Sequence, residues 1–96
     1  MSTETAKNMM KQERPAAWLR KYAIRTSKGY IQRVDERGNR PGVYYLTPDL
    51  EKALMIESKG EAIQIAIRTA SMKAVVKEVD IDPQTGKRKT AGTVVF

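Results

Sequence analysis

Seven cations of this chain are set among five aromatic rings over a short span. Arg20, Lys21, Arg25 and Lys28 come first, and Arg33, Arg37 and Arg40 follow around a glycine-rich loop. Trp18, Tyr22, Tyr30, Tyr44 and Tyr45 are interleaved with them. Guanidinium and ammonium groups grip phosphate oxygens, and aromatic faces stack on bases, so cations among rings on a sheet suit a nucleic-acid backbone. The competing reading makes the rings core and the cations a solvated face. Even spacing of Trp18, Tyr22 and Ile24 favours core for those side chains.

Charge distribution favours an anionic partner. Residues 1–46 hold ten Lys/Arg against four Asp/Glu, a net of +6, whereas residues 47–82 carry a net of −2. The remaining cations are Lys87, Arg88 and Lys89, which touch phosphate or guard an edge strand. An excess of this size exceeds what solubility needs. Gly86-Lys87 fails as a phosphate loop, because Arg88 stands where Ser or Thr is required.

Other chemistry is restricted. The chain has no cysteine and no histidine, which removes thiolate chemistry, disulfides, and the commonest general base and metal ligand. Glu78, Asp80 and Asp82 alternate and could ligate a divalent cation, but alternate acids on a strand are more often its solvated face. No catalytic, metal or cofactor site is expected, and no enzyme activity.

The elements that must position these residues are legible in places. Ninety-six residues make one domain, expected over 15–96 and preceded by a mobile arm over 1–14. Strands are expected over 16–26, 30–35, 43–46, 74–81 and 90–96. Ser27-Lys28-Gly29 reads as a tight turn, residues 36–42 as a turn-rich loop, and residues 82–86 as a hairpin loop. Thr47-Pro48 reads as a cap followed by proline at the first helical position, predicting a short helix over 48–54. Ser58 and Glu61 form the S-x-x-E box of a longer helix over 59–71. Its apolar stripe is expected at Ile63, Ala66, Ile67 and Ala70, widened by Ala62, Ile65 and Met72.

The order β-β-β-α-α-β-β predicts an α+β domain, with an antiparallel sheet of about five strands and both helices on one face. The other face would be free to bind. A cytoplasmic location is expected, since nothing resembles a signal peptide or a membrane span.

Six segments together resemble small accessory proteins encoded by bacteriophages and mobile elements. They are Tyr22-Ala23-Ile24-Arg25, Gly29-Tyr30-Ile31, Tyr45-Leu46-Thr47, Leu50-Glu51-Lys52-Ala53, Glu57-Ser58 and Glu61-Ala62. The resemblance covers about half the chain and implies a non-enzymatic binder. Some such proteins bind single-stranded or duplex DNA; others inhibit host defence complexes such as CRISPR effectors. The basic charge here departs from the acidic DNA mimics among those inhibitors.

Two functions are therefore expected, in order. The first is backbone-led binding of DNA or RNA with little sequence readout. The second is inhibition of a nucleic-acid-binding host complex through the same basic face. A homodimer is left open, and no membrane contact is expected.

Overall fold

The computed structural model describes residues 18–37 and 40–96, with side chains left out over 36–41. The expected arm over 1–14 lies outside the described residues. The strands are β1 (Leu19–Thr26), β2 (Gly29–Arg37), β3 (Arg40–Thr47), β4 (Val75–Ile81) and β5 (Arg88–Val94). Between β3 and β4 lie a 3-10 turn at Leu50–Lys52, helix α1 at Lys59–Arg68, and a second 3-10 turn at Ala70–Met72. The strands form one antiparallel sheet in the order β3-β2-β1-β4-β5. The α+β class and five-strand antiparallel sheet match the expectation.

Both sheet faces are covered in part. Ala23 and Ile24 are neighbours on β1, so they point to opposite faces. Ile24 joins Ile31, Val76, Ala62, Ile65 and Ala66 in the core beneath α1. Ala23 joins Tyr30, Val79, Ala53 and Leu50 in a second cluster beneath the first 3-10 turn. The expectation of two helices on one face is thus corrected: one α-helix covers one face, and a single 3-10 turn lies on the other.

Tertiary pairing explains why the predicted helix over 48–54 stops after one turn. Asp49, not Thr47, is its N-cap, with the carboxylate accepting from the Glu51 N–H at 2.9 Å. Thr47 Oγ1 instead accepts from the Asp49 N–H. Ala53 then turns extended. Leu54 N–H donates to the Ile31 carbonyl at 2.9 Å, and Ile56 exchanges two 2.8 Å hydrogen bonds with Tyr22. β1 and β2 pair only at Arg25↔Tyr30 and Thr26↔Gly29. Below that point the strands part, and residues 54–56 fill the gap like a short strand. The chain so passes from one sheet face to the other, with backbone groups on both sides of the split satisfied.

The turn joining β1 to β2 needs its glycine. Gly29 has φ 133°, and a Cβ there would stand 2.8 Å from the Thr47 carbonyl oxygen. No other residue type adopts that conformation easily or allows that approach. At the far end of the hairpin, β2 and β3 run on to Arg37 and Arg40, which pair in register. Much of the expected 36–42 loop is therefore strand, because cross-strand hydrogen bonds extend the ladder. β5 likewise lies earlier than expected, at Arg88–Val94.

Helix α1 starts where expected, with Ser58 Oγ accepting from the Glu61 N–H at 3.3 Å. Its buried face is rotated from the expected stripe. Ala62, Ile65 and Ala66 are buried, Ile63 packs at the margin, and Ile67 is 55% exposed. Thr69 completes the inner face and closes the helix, its hydroxyl donating to the Ile65 carbonyl at 2.8 Å. The expected C-terminal portion over 69–71 is that cap and part of the second 3-10 turn. Among the described residues, no helix is long and apolar enough to cross a membrane.

Candidate functional site

Strand geometry divides the ten candidate cations into engaged and available groups. Arg20 points to the α1 face. Its Nε lies 2.6 Å from Asp80 Oδ1 and its Nη1 lies 2.9 Å from Glu78 Oε2. The hydrogen bond to Asp80 raises the already high pKa of the guanidinium, so its charge is fixed. Asp80 is buried, which departs from the solvated strand face expected of these acids. Lys21 pairs with Glu57 at 3.0 Å.

Arg88 is also engaged. Its Nη1 donates to the Leu50 carbonyl at 3.0 Å and the Ala53 carbonyl at 2.8 Å. Its backbone N–H donates to Glu51 Oε2. The Ala53 carbonyl, beyond the turn's own hydrogen bonds, so gains a donor, and the Leu50 carbonyl, which already accepts from the Ala53 N–H, gains a second. Lys89, next in sequence, points to the opposite face and lies over the Trp18 ring, 5.2 Å from its centroid. Lys87, Arg88 and Lys89 therefore do not form one patch, because successive strand residues alternate between faces.

Arg25, Lys28 and Arg33 are exposed and, like Lys87 and Lys89, have no salt-bridge partner among the described residues. Arg25 and Arg33 lie on the face opposite α1. Arg25 pairs in register with Tyr30, and its Cζ stands 5.0 Å from that ring centroid. Arg33 pairs with Tyr45, with its Cζ 4.2 Å from the centroid. A bulge between Ile31 and Arg33 sets this register. Lys28 is exposed in the turn just above.

A ring beneath a guanidinium holds a flexible side chain in one place. Arg25 and Arg33 are both exposed, and a guanidinium carries the planar fork that matches phosphate. Tyr45 is 40% exposed, with the Arg33 guanidinium over one face of its ring. Tyr30 is buried under the first 3-10 turn and serves only as a support. Tyr22 and Tyr44 pack against the core beneath α1. Of the interleaved rings, Tyr45 alone combines a stacked cation with substantial exposure on this face.

Arg37 and Arg40 face each other across the far end of the hairpin, beyond Arg33. Their side chains lie outside the described residues. Leu19, Val43 and Val75 share this face and are exposed, an apolar component that charge counting missed. Alternation along Val43-Tyr44-Tyr45-Leu46 was the signal that could have separated the outward pair from the inward pair. Among the described residues, no group of three acids or other ligands is placed to hold a metal ion.

No protein-family model, curated protein or solved structure matches this chain.

Proposed function

We propose that this protein is a non-enzymatic nucleic-acid binder that meets backbone phosphates through the sheet face opposite α1. The observation that carries the reading is the Arg33 guanidinium held 4.2 Å over the half-open Tyr45 ring. It supports the reading because a hydrogen-bond donor suited to phosphate and an exposed aromatic residue lie together. Arg25 and Lys28 extend the cationic track. Phosphate contacts position a strand without reading its sequence. Affinity should therefore be similar across unrelated sequences.

The test is a mobility shift with single-stranded and duplex DNA and RNA at low salt. Binding that is weakened by Arg33→Gln and insensitive to sequence supports the reading. Absence of any shift refutes it.

A second reading, inhibition of a host defence complex by protein contact, is favoured by a different observation. Val43 and Val75 are exposed beside the same cations. A mixed apolar and basic surface suits an acidic groove on a protein. Failure of every nucleic acid to bind would put this reading first.

A further inference from the structure

Away from the basic sheet face, a cleft of about 360 Å³ opens on the α1 side. Its walls are the β1–β2 turn, the end of β3 and the second 3-10 turn. Thr26, Ser27, Lys28, Leu46, Ser71 and Met72 line it. The volume falls at the low end of small-molecule sites, roughly 300–1,000 Å³. The walls are tied together by the Ser27 N–H, which donates to the Met72 carbonyl at 3.0 Å.

Donors available to a ligand can be identified by elimination. The Ser27 N–H is spent on Met72, and the Lys28 N–H on Thr26 Oγ1. The Thr26 hydroxyl donates to the Gly29 carbonyl. What remains is the Lys28 ammonium and the hydroxyls of Ser27 and Ser71, none of which has a partner among the described residues. Leu46 and Met72 supply an apolar wall, and methionine adapts its shape to flat rings. Lys73 follows directly, exposed and at φ 59°, the one described non-glycine residue in the left-handed region. It adds a second positive charge beside the cleft.

One ammonium and two hydroxyls suit a tetrahedral oxyanion, and the apolar wall suits a ring. We propose that this cleft binds one phosphate-bearing nucleotide, free or at the end of a strand. The phosphate would meet Lys28, Ser27 and Ser71, and the base would lie against Leu46 and Met72. Lys28, in the turn between the two surfaces, serves both, whereas Arg33 and Tyr45 lie on the far face, so Arg33→Gln tells the two sites apart.

The test is amide chemical-shift titration of the whole chain with four probes. These are a nucleoside 5′-monophosphate, the matching nucleoside, and a short oligonucleotide with and without a 5′-phosphate. Saturable shifts are expected at Ser27, Lys28, Ser71 and Met72 with a phosphate-bearing probe. The matching probe without phosphate should bind at least about tenfold more weakly, as loss of a charge-assisted contact implies. Response to the mononucleotide identifies a free ligand. Response only to the 5′-phosphorylated oligonucleotide identifies a strand end.

Lys28→Gln should weaken binding by about tenfold, and Lys73→Gly by less. Glycine suits that backbone, so the second variant keeps the fold. Arg33→Gln should leave cleft binding unchanged while weakening the sheet-face interaction. Three results would overturn the proposal: no saturable shift at these residues, equal binding with and without phosphate, or indifference to Lys28→Gln.

Discussion

Arg20 and Asp80 lie 60 residues apart in sequence, yet Arg20 Nε stands 2.6 Å from Asp80 Oδ1 on adjacent strands. Asp80 is 1% exposed, and the guanidinium reaches it inside the fold. An arginine that looks like a phosphate contact in the sequence is thereby a structural ion pair.

Replacing Arg20 by Ala should destabilise the fold by up to about 3–5 kcal/mol, since it uncovers a buried carboxylate. Nucleic-acid affinity per folded molecule should not change. Denaturant unfolding and a binding isotherm on the same sample check both halves. A variant with parental stability and weakened binding would return Arg20 to the contact surface.

Ile65→Ala should cost roughly 2–5 kcal/mol through lost burial and the cavity left behind. Ile67→Ala should stay within about 0.5 kcal/mol, as exposed substitutions do. The comparison of denaturation midpoints checks the rotation of α1 about its axis. Equal losses at both positions would contradict the observed orientation.

The helix was legible in its start and not in its face, for a physical reason. The Ser58 cap is local, three residues from its donor. Ala62, Ile63, Ile65, Ala66 and Ile67 are all apolar, so a stripe shifted by one residue fits nearly as well. The sheet decides between them by offering Ile24 and Val76 to one side. The 3-10 turn was misread because Leu54 and Ile56 find strand partners, which no local signal announces. The candidate site was legible as composition. Its division into engaged and available cations depends on strand register, as with Arg20 and Asp80.

Arg88→Ala should cost about 1–3 kcal/mol by leaving the Ala53 carbonyl without a donor and the Leu50 carbonyl with the Ala53 N–H alone. Lys89→Ala, one residue away, should cost about 1 kcal/mol or less, the worth of an exposed cation over a ring. Amide hydrogen exchange at residues 50–54 reads the difference. Protection unchanged in Arg88→Ala would refute its role as a latch.

Asp82 provides a pH dependence of known sign. The Gln84 N–H, first, and then Thr85 and Lys87 hold its carboxyl below its ordinary value of 3.8. A depressed folded pKa gives stability that is present above the unfolded value and lost as pH falls through the folded one. The stability gap between the parent and Asp82→Ala should thus be widest near neutral pH and narrow below about pH 4. A gap that widens on acidification would contradict the hydrogen-bonding scheme of this hairpin.

The most direct test of the central claim is the salt dependence of nucleic-acid affinity in the parent and in the Arg25→Gln/Lys28→Gln/Arg33→Gln triple variant. Each neutralised phosphate releases a counterion, so log K should fall linearly with log salt, with a slope of about −0.7 to −0.9 per contact. The triple variant should flatten that slope by about 2–3 units. Arg20→Ala should leave it where it is. An unchanged slope in the triple variant, or no binding by the parent at low salt, would contradict the assignment of this face to nucleic acid.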